Sequence, residues 1–265
     1  MTLVQVSIAD KGKSIVLIAD RLLTSWLSED IPSYEFESQT PKIIHRGSVG
    51  IGFAGTSIYA DLATCKVGNK KDFDVIVKTI STFFKNEKKT MVDAFIKRLC
   101  GVSSEMFFKR ADLPIPVELR NYIYGKLSAP DGQINCSCIV TGFDKRGKAR
   151  VVIIDGEGST LETTTFSNVS IGSGAPFSKV YFDLCNYDCC MGTSEALLFA
   201  YEAKKWAQSH TGVGDKTDIL LFRKSKKVLE INDSSKLMKN IDAKYDEEHV
   251  RHHTIRRDLL KDILR

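Results

Sequence analysis

Thr2-Leu3-Val4-Gln5-Val6-Ser7-Ile8-Ala9-Asp10-Lys11-Gly12-Lys13-Ser14-Ile15-Val16-Leu17-Ile18-Ala19-Asp20 is the stretch on which the fold turns. Leu3 to Ile8 and Ser14 to Ala19 are rich in β-branched residues, and the Asp10-Lys11-Gly12-Lys13 turn between them predicts a tight β-hairpin. The chain is therefore expected to enter its fold at once, with no leader helix, polar tail or secretory pattern ahead of the first strand. If Met1 is removed, Thr2 presents a hydroxyl and a free α-amine at the start of a strand. That pair can serve as nucleophile and base, since an α-amine has an unperturbed pKa of about 7.7–8.0.

Outward from the hairpin, Ser25 to Thr40 is polar with scattered aromatics and predicts a long loop. Ile43-Ile44-His45 and Val49 to Phe53 flank Arg46-Gly47-Ser48 as a second hairpin, and Thr56 to Cys65 predicts a helix. Asp72 to Asn86, extending to Leu99, has helical apolar spacing at Val75, Ile76, Thr79, Ile80, Phe83 and Phe84. Ser103 to Gln133 holds Pro114, Pro116 and Pro130 without a steady period, and predicts an irregular insert with a short helix near Val117 to Leu127. Four short strands follow, at Asn135–Phe143, Ala149–Asp155, Thr160–Thr164 and Asn168–Ile171. Two helices come next, Phe177–Leu184 and Ser194–His210, then a last hairpin of Asp218–Phe222 and Val228–Ile231. Runs of antiparallel strands separated by helices predict a layered α+β protein in place of alternating βαβ units.

The composition bounds the function classes. The 265 residues are 43% hydrophobic and 27% charged, enough for a sizeable core. No apolar run reaches the roughly 18–20 residues that cross a bilayer, so no membrane partner is expected. The net charge of +5 is modest, and no basic run interleaves with aromatics, so no nucleic-acid partner is expected. Seven cysteines, an odd number, predict reduced thiols in a cytoplasmic protein. Cys185, Cys189 and Cys190 lack zinc-ribbon spacing and are expected to be buried thiols. The Gly50-Ile51-Gly52-Phe53-Ala54-Gly55 run matches a dinucleotide fingerprint, with Asp72 and Asp74 downstream, but no repeated βαβ units follow it.

Several blocks in order resemble the proteasome β-type subunits and the bacterial HslV-type peptidases, which are N-terminal nucleophile hydrolases. They are Thr2-Leu3-Val4 with Ile18-Ala19-Asp20-Arg21-Leu22-Leu23-Thr24; Lys42-Ile43; Gly52-Phe53-Ala54-Gly55-Thr56; Thr141-Gly142-Phe143-Asp144; Ile154-Asp155-Gly156-Glu157-Gly158; Ile171-Gly172-Ser173-Gly174; and Ser194-Glu195-Ala196-Leu197 with Thr217-Asp218-Ile219. The resemblance covers residues 2 to about 232, a proteasome-like domain interrupted by the insert at about 103–133, and leaves 233–265 as a charged helical extension. It implies a four-layer αββα sandwich with two antiparallel sheets.

Residue by residue, the resemblance implies Thr2 as nucleophile, Asp20 holding Lys42, Lys42 lowering the pKa of the Thr2 hydroxyl, and the Gly55 N–H as oxyanion donor. Ser173 would bond near the Thr2 amine, Thr24 would pair with an extended peptide, and Phe53 would shape a specificity pocket. The implied activity is threonine-type endopeptidase cleavage of a peptide or unfolded protein substrate, with no metal or organic cofactor. A homo-oligomer is implied, with a ring and an ATPase or other protein partner among the family's arrangements. Two alternatives share the fold: a non-catalytic ring subunit, and a transpeptidase or protein ligase using the same acyl-enzyme.

The chain departs from the family pattern in places. The family's Arg stands two residues after the Asp, where this chain has Leu22, with Arg21 next to Asp20 as a strand-end ion-pair candidate. His210 and Val213 stand where the family's Asp and Ser support the amine. Residues 223–265 carry 12 Lys and Arg against 8 Asp and Glu. Ile255, Leu259, Leu260 and Ile263 make the end weakly amphipathic, which predicts packing on a neighbour, and His249, His252 and His253 are expected on a solvated face.

Overall fold

The computed structural model describes residues 2–25, 34–110, 112–129, 134–163, 166–209 and 212–247. It is a mixed α+β structure with antiparallel sheets, divided into two compact units. The first unit comprises residues 1–44 and 166–265, and the second comprises residues 45–165.

In the first unit the opening hairpin forms as its pattern predicts: β1 (Val4–Ala9) pairs with β2 (Ser14–Asp20). The turn between them holds Asp10 at φ 51° and Lys11 at φ 55°, which only a well-fastened turn maintains. The Asp10 carboxylate accepts hydrogen bonds from the hydroxyls of Thr193 and Ser14, and the first of these holds its pKa below the usual carboxylate value. Asp10 N–H and Lys11 N–H donate to the carbonyls of Met191 and Cys189.

β3 (Leu22–Ser25) pairs with β4 (Tyr34–Glu37), so the stretch expected to be a long loop contains a paired strand at Tyr34–Glu37. Tyr34-Glu35-Phe36-Glu37 alternates aromatic with acidic residues, as a strand does, but over only four positions of a polar stretch. β10 (Asn168–Ile171), β11 (Thr217–Arg223) and β12 (Leu229–Asn232) complete a sheet of order β10-β1-β2-β11-β12. α5 (Ala175–Leu184) and α6 (Thr193–Gln208) cover one face. Their Phe182, Ala196, Ala200, Tyr201 and Ala203 form one core with Val16, Ile18, Ile219 and Leu221 of the sheet. A last helix, α7, runs from 236 to 247, the end of the described residues, and adds Met238 and Ile241 to that core.

The other five-stranded sheet runs β5 (Ile43–Arg46), β6 (Val49–Gly55), β7 (Cys136–Phe143), β8 (Ala149–Ile154) and β9 (Thr160–Glu162), in sequential order. The four strands expected in a row at 135–171 therefore separate: three continue this sheet, and β10 pairs with β1.

α1 (Ser57–Val67) and α2 (Phe73–Cys100) follow β6. Asp72 caps α2 by accepting from Val75 N–H at 3.1 Å, and Gly101 ends it at φ 71°. The expected irregular insert contains two capped or Pro-led helices, α3 (Ser104–Lys109) and α4 (Val117–Ser128). Ile96 of α2, Phe107 of α3 and Ile123 of α4 form a separate small core. Pro114 and Pro116 fall between these helices, which is why no single period ran through the segment, and Pro130 lies outside the described residues.

The dinucleotide pattern dissolves in this fold. Gly50 and Gly52 lie within β6, opposite Thr141 and Ile139, and not in a phosphate-cradling turn. Asp72 is occupied as a helix cap and by Lys145 at 2.9 Å.

Candidate active site

Four segments of the first unit meet at the start of β1. Thr2 and Leu3 precede that strand, Asp20 ends β2, Lys42 stands just before β5, and Ser173 lies in the turn between β10 and α5. Hairpin register sets the first two against each other: Asp20 N–H donates to Leu3 C=O at 3.2 Å, and Leu3 N–H donates to Asp20 Oδ1 at 2.8 Å. Pairing of β1 with β10 brings the Gly172-Ser173-Gly174 turn to Thr2. Thr2 N–H donates to Ser173 Oγ at 3.1 Å, and Gly174 N–H donates to Thr2 C=O at 3.1 Å. The backbone of Thr2 is thus fastened on two sides.

Asp20 is fully buried and accepts three backbone N–H groups, those of Leu3, Leu22 (3.0 Å) and Gly214 (3.1 Å). Both its oxygens also lie 3.0 Å from Lys42 Nζ. Lys42 Nζ donates to Thr2 Oγ1 at 2.9 Å and to the Leu22 carbonyl at 2.5 Å. Three ammonium protons therefore meet three acceptors: the Thr2 hydroxyl, the Asp20 carboxylate and the Leu22 carbonyl. Burial pushes the Lys42 pKa below the usual lysine value, and the charge and hydrogen bonds of Asp20 work against that shift. A buried cation touching a hydroxyl is an arrangement that favours the alkoxide form of that hydroxyl.

Arg21 stands outside this set. Its guanidinium forms a bidentate pair with Asp218, at 2.6 and 2.5 Å, which raises the Arg21 pKa. The strand-end pair of Asp20 with Arg21 that their adjacency suggested is not what forms: Asp20 pairs with Lys42, and Arg21 with Asp218. Val213 packs in a small apolar cluster with Leu3 and Ala207.

Gly55 and Phe53 belong to the second unit, on β6. Gly55 has φ 111°, and a Cβ there would lie 2.2 Å from the Asn135 carbonyl oxygen, so the position requires glycine. It is followed by Thr56, the N-cap of α1. Phe53 is buried opposite Cys138. Thr24 lies on β3 opposite Glu35. Met1, His210, His249, His252, His253 and the apolar residues at 255–263 lie outside the described residues.

The residues around this site that the sequence did not single out are Glu37, Lys204, Gly214 and Asp215. Lys204 is fully buried on α6, four residues after Ala200 and three before Ala207. A lysine on the apolar face of a helix was the available signal. Glu37 ends β4 in a polar stretch that offered none.

Among the cysteines, Cys136 and Cys138 are the buried ones, and burial raises the Cys136 thiol to about 12. Cys190 is exposed, and Cys185 and Cys189 are partly so, against the expectation of buried thiols. The donor atoms of Asp188, Cys189 and Cys190 lie within 4.8 Å of one another, with the Asp188 carboxylate already accepting the Cys190 N–H at 2.9 Å. No helix among the described residues is long and apolar enough to cross a membrane.

No protein-family model matches this chain, and no curated protein matches it either.

Proposed function

We propose that this protein is a proteasome-like threonine hydrolase that cleaves peptide amide bonds through Thr2 after removal of the residue before it. The observation that carries this reading is the buried Lys42 ammonium, 2.9 Å from Thr2 Oγ1 and braced by both oxygens of Asp20. Outside a catalytic role, a lysine so placed costs desolvation energy for a contact with an ordinary hydroxyl.

In the reaction, the freed Thr2 amine takes the hydroxyl proton, directly or through water, and Oγ1 attacks the substrate carbonyl carbon. Lys42 stabilises the oxygen as it loses its proton. The amide C–N bond breaks as the proton passes to the leaving amine, which leaves an ester on Thr2. Water then attacks the ester, releases the carboxylic acid and restores the hydroxyl. Ser173 Oγ, 3.1 Å from Thr2 N, helps to orient the amine. The oxyanion donor assigned to Gly55 N–H, and the substrate roles of Thr24 and Phe53, rest on the resemblance. So do the four-layer αββα sandwich, the homo-oligomeric ring, an ATPase or other partner, and a cytoplasmic location.

Intact-mass spectrometry with and without a peptide epoxyketone tests this reading. The ketone of that probe captures the threonine hydroxyl and its epoxide captures the free amine. Loss of Met1 with one adduct on Thr2 is the expected result. Retained Met1 with no adduct would assign the site to a non-catalytic subunit. Labelling followed by peptide joining without net hydrolysis would assign it to a ligase.

A further inference from the structure

A second ionic layer lies behind Asp20. Gly214 N–H, which donates to Asp20 Oδ2, is followed at once by Asp215, whose backbone is gripped at both ends. Its N–H donates to Glu37 Oε1 at 2.7 Å, with Lys216 N–H reaching the same oxygen at 3.4 Å. Its C=O accepts from Lys204 Nζ at 2.7 Å. Lys204 also donates to Gln208 Oε1 at 3.0 Å. The grip leaves no slack: a Cβ on Gly214 would lie 2.4 Å from Glu37 Oε1 and 2.7 Å from the Leu22 Cβ.

A fully buried lysine is expensive unless its charge is used. Here the ammonium fixes the carbonyl of the residue next to the Gly214 that buttresses Asp20.

We propose that Lys204 and Glu37 are positioning residues that clamp Asp215 from opposite ends, holding Gly214 N–H on Asp20 and thereby the Lys42 ammonium on Thr2. This inference rests on the reading of Thr2 as nucleophile. Neither residue touches Thr2; both act through Gly214 and Asp20. The charged groups that act on Lys204 are Lys205, Asp20, Asp215 and Glu37. Burial lowers its pKa to about 8, with Lys205 adding to that shift and the three carboxylates opposing it. The clamp is therefore tightest below that pH and loosens above it.

The test uses the full chain with Thr2 exposed, comparing wild type with Lys204→Met and with Glu37→Gln. Two quantities are read for each: the rate of Thr2 labelling by a peptide epoxyketone, and the pH dependence and hydrogen exchange of the Gly214 and Asp215 amides by NMR. In the wild type these amide signals should titrate with a midpoint near pH 8. Lys204→Met should abolish that titration, speed Gly214 exchange and slow labelling roughly 10- to 100-fold, as small misplacements of reacting groups do. Glu37→Gln keeps an acceptor for Asp215 N–H but removes a negative charge facing Lys204, so the midpoint should fall and labelling should slow less. Should Lys204→Met not fold, Glu37→Gln alone decides. Folded variants with unchanged amide titration and labelling overturn the clamp. A wild type that shows the amide titration but never labels overturns the nucleophile reading and leaves the clamp standing.

Discussion

Lys42 Nζ and Thr2 Oγ1 lie 2.9 Å apart, joined across forty positions of sequence by a β-hairpin, a second hairpin and the Asp20 carboxylate between them. The contact depends on charge and on shape together. Lysine supplies three rotatable donors on a narrow stem, and here each has its acceptor; arginine presents a flat fork that cannot reproduce that arrangement. Lys42→Arg should therefore lose Thr2 labelling as thoroughly as Lys42→Met, by roughly 100- to 1000-fold, the scale of removing one preorganised electrostatic group. The two should differ in stability. Methionine leaves the buried Asp20 carboxylate without its cation, a change worth about 3–5 kcal/mol in buried pairs. Asp20 retains its three backbone donors, so the measured loss should fall toward the lower end of that range. Equal labelling by wild type and Lys42→Arg would remove the lysine from the mechanism.

Gly214→Ala isolates the packing behind Asp20 from its charge. The added methyl meets Glu37 Oε1 at 2.4 Å, the Leu22 Cβ at 2.7 Å and the Leu22 nitrogen at 2.9 Å. Forcing one methyl into such a space costs about 1–3 kcal/mol. Urea unfolding should show that loss. Labelling of Thr2 should slow as well, because Gly214 N–H and Leu22 N–H both bond to Asp20.

What the sequence disclosed follows from the reach of each signal. β1 and β2 were legible because a run of Val and Ile on each side of an Asp-Lys-Gly turn is a local pattern. β10 was legible as a strand, but its pairing with β1 was not, since the choice of partner is a long-range event with no local mark. The β3–β4 pairing escaped because each run is only four residues long, and Tyr34-Glu35-Phe36-Glu37, though it alternates, stands in a polar stretch. Thr2, Asp20, Lys42 and Ser173 come from four separated stretches, and no spacing rule links them; only a resemblance proposed them as a group. Glu37 and Lys204 were beyond even that. Lys204 had a local signal, a lysine on the apolar face of α6, but the partners that give it a role, Asp215 and Glu37, are assembled only on folding.

The small core made by α2, α3 and α4 should respond to one side chain. Phe107 is fully buried between Ile96 and Ile123, with Phe108 and Tyr124 against its ring and the Arg120 guanidinium 5.2 Å from its centroid. Truncating a buried Phe to Ala costs about 3–5 kcal/mol. In so small a cluster that loss should open α3 and α4 before the rest of the second unit. Hydrogen exchange of Phe107→Ala should show amides at 104–128 losing protection while those of β6 and β7 keep theirs. Uniform loss across the unit would mean the cluster and the sheet unfold together.

Lys204 should leave its mark on stability as a function of pH. The unfolded chain keeps the proton on this lysine up to about pH 10.5, whereas the folded chain, which buries it, releases the proton near 8. Between those values the unfolded state binds more protons, so stability rises with pH through that window. Below pH 8 both states hold the proton, and the folded state bears the full cost of burying the ammonium. The gap between the two pKa values corresponds to about 3 kcal/mol. The informative quantity is the difference between wild type and Lys204→Met. Denaturant unfolding of the two at pH 7.5 and at pH 10 should show the wild type gaining on the variant as pH rises. A difference that stays constant would mean that Lys204 remains charged throughout, held by Glu37, Asp20 and Asp215 more firmly than its burial disfavours it.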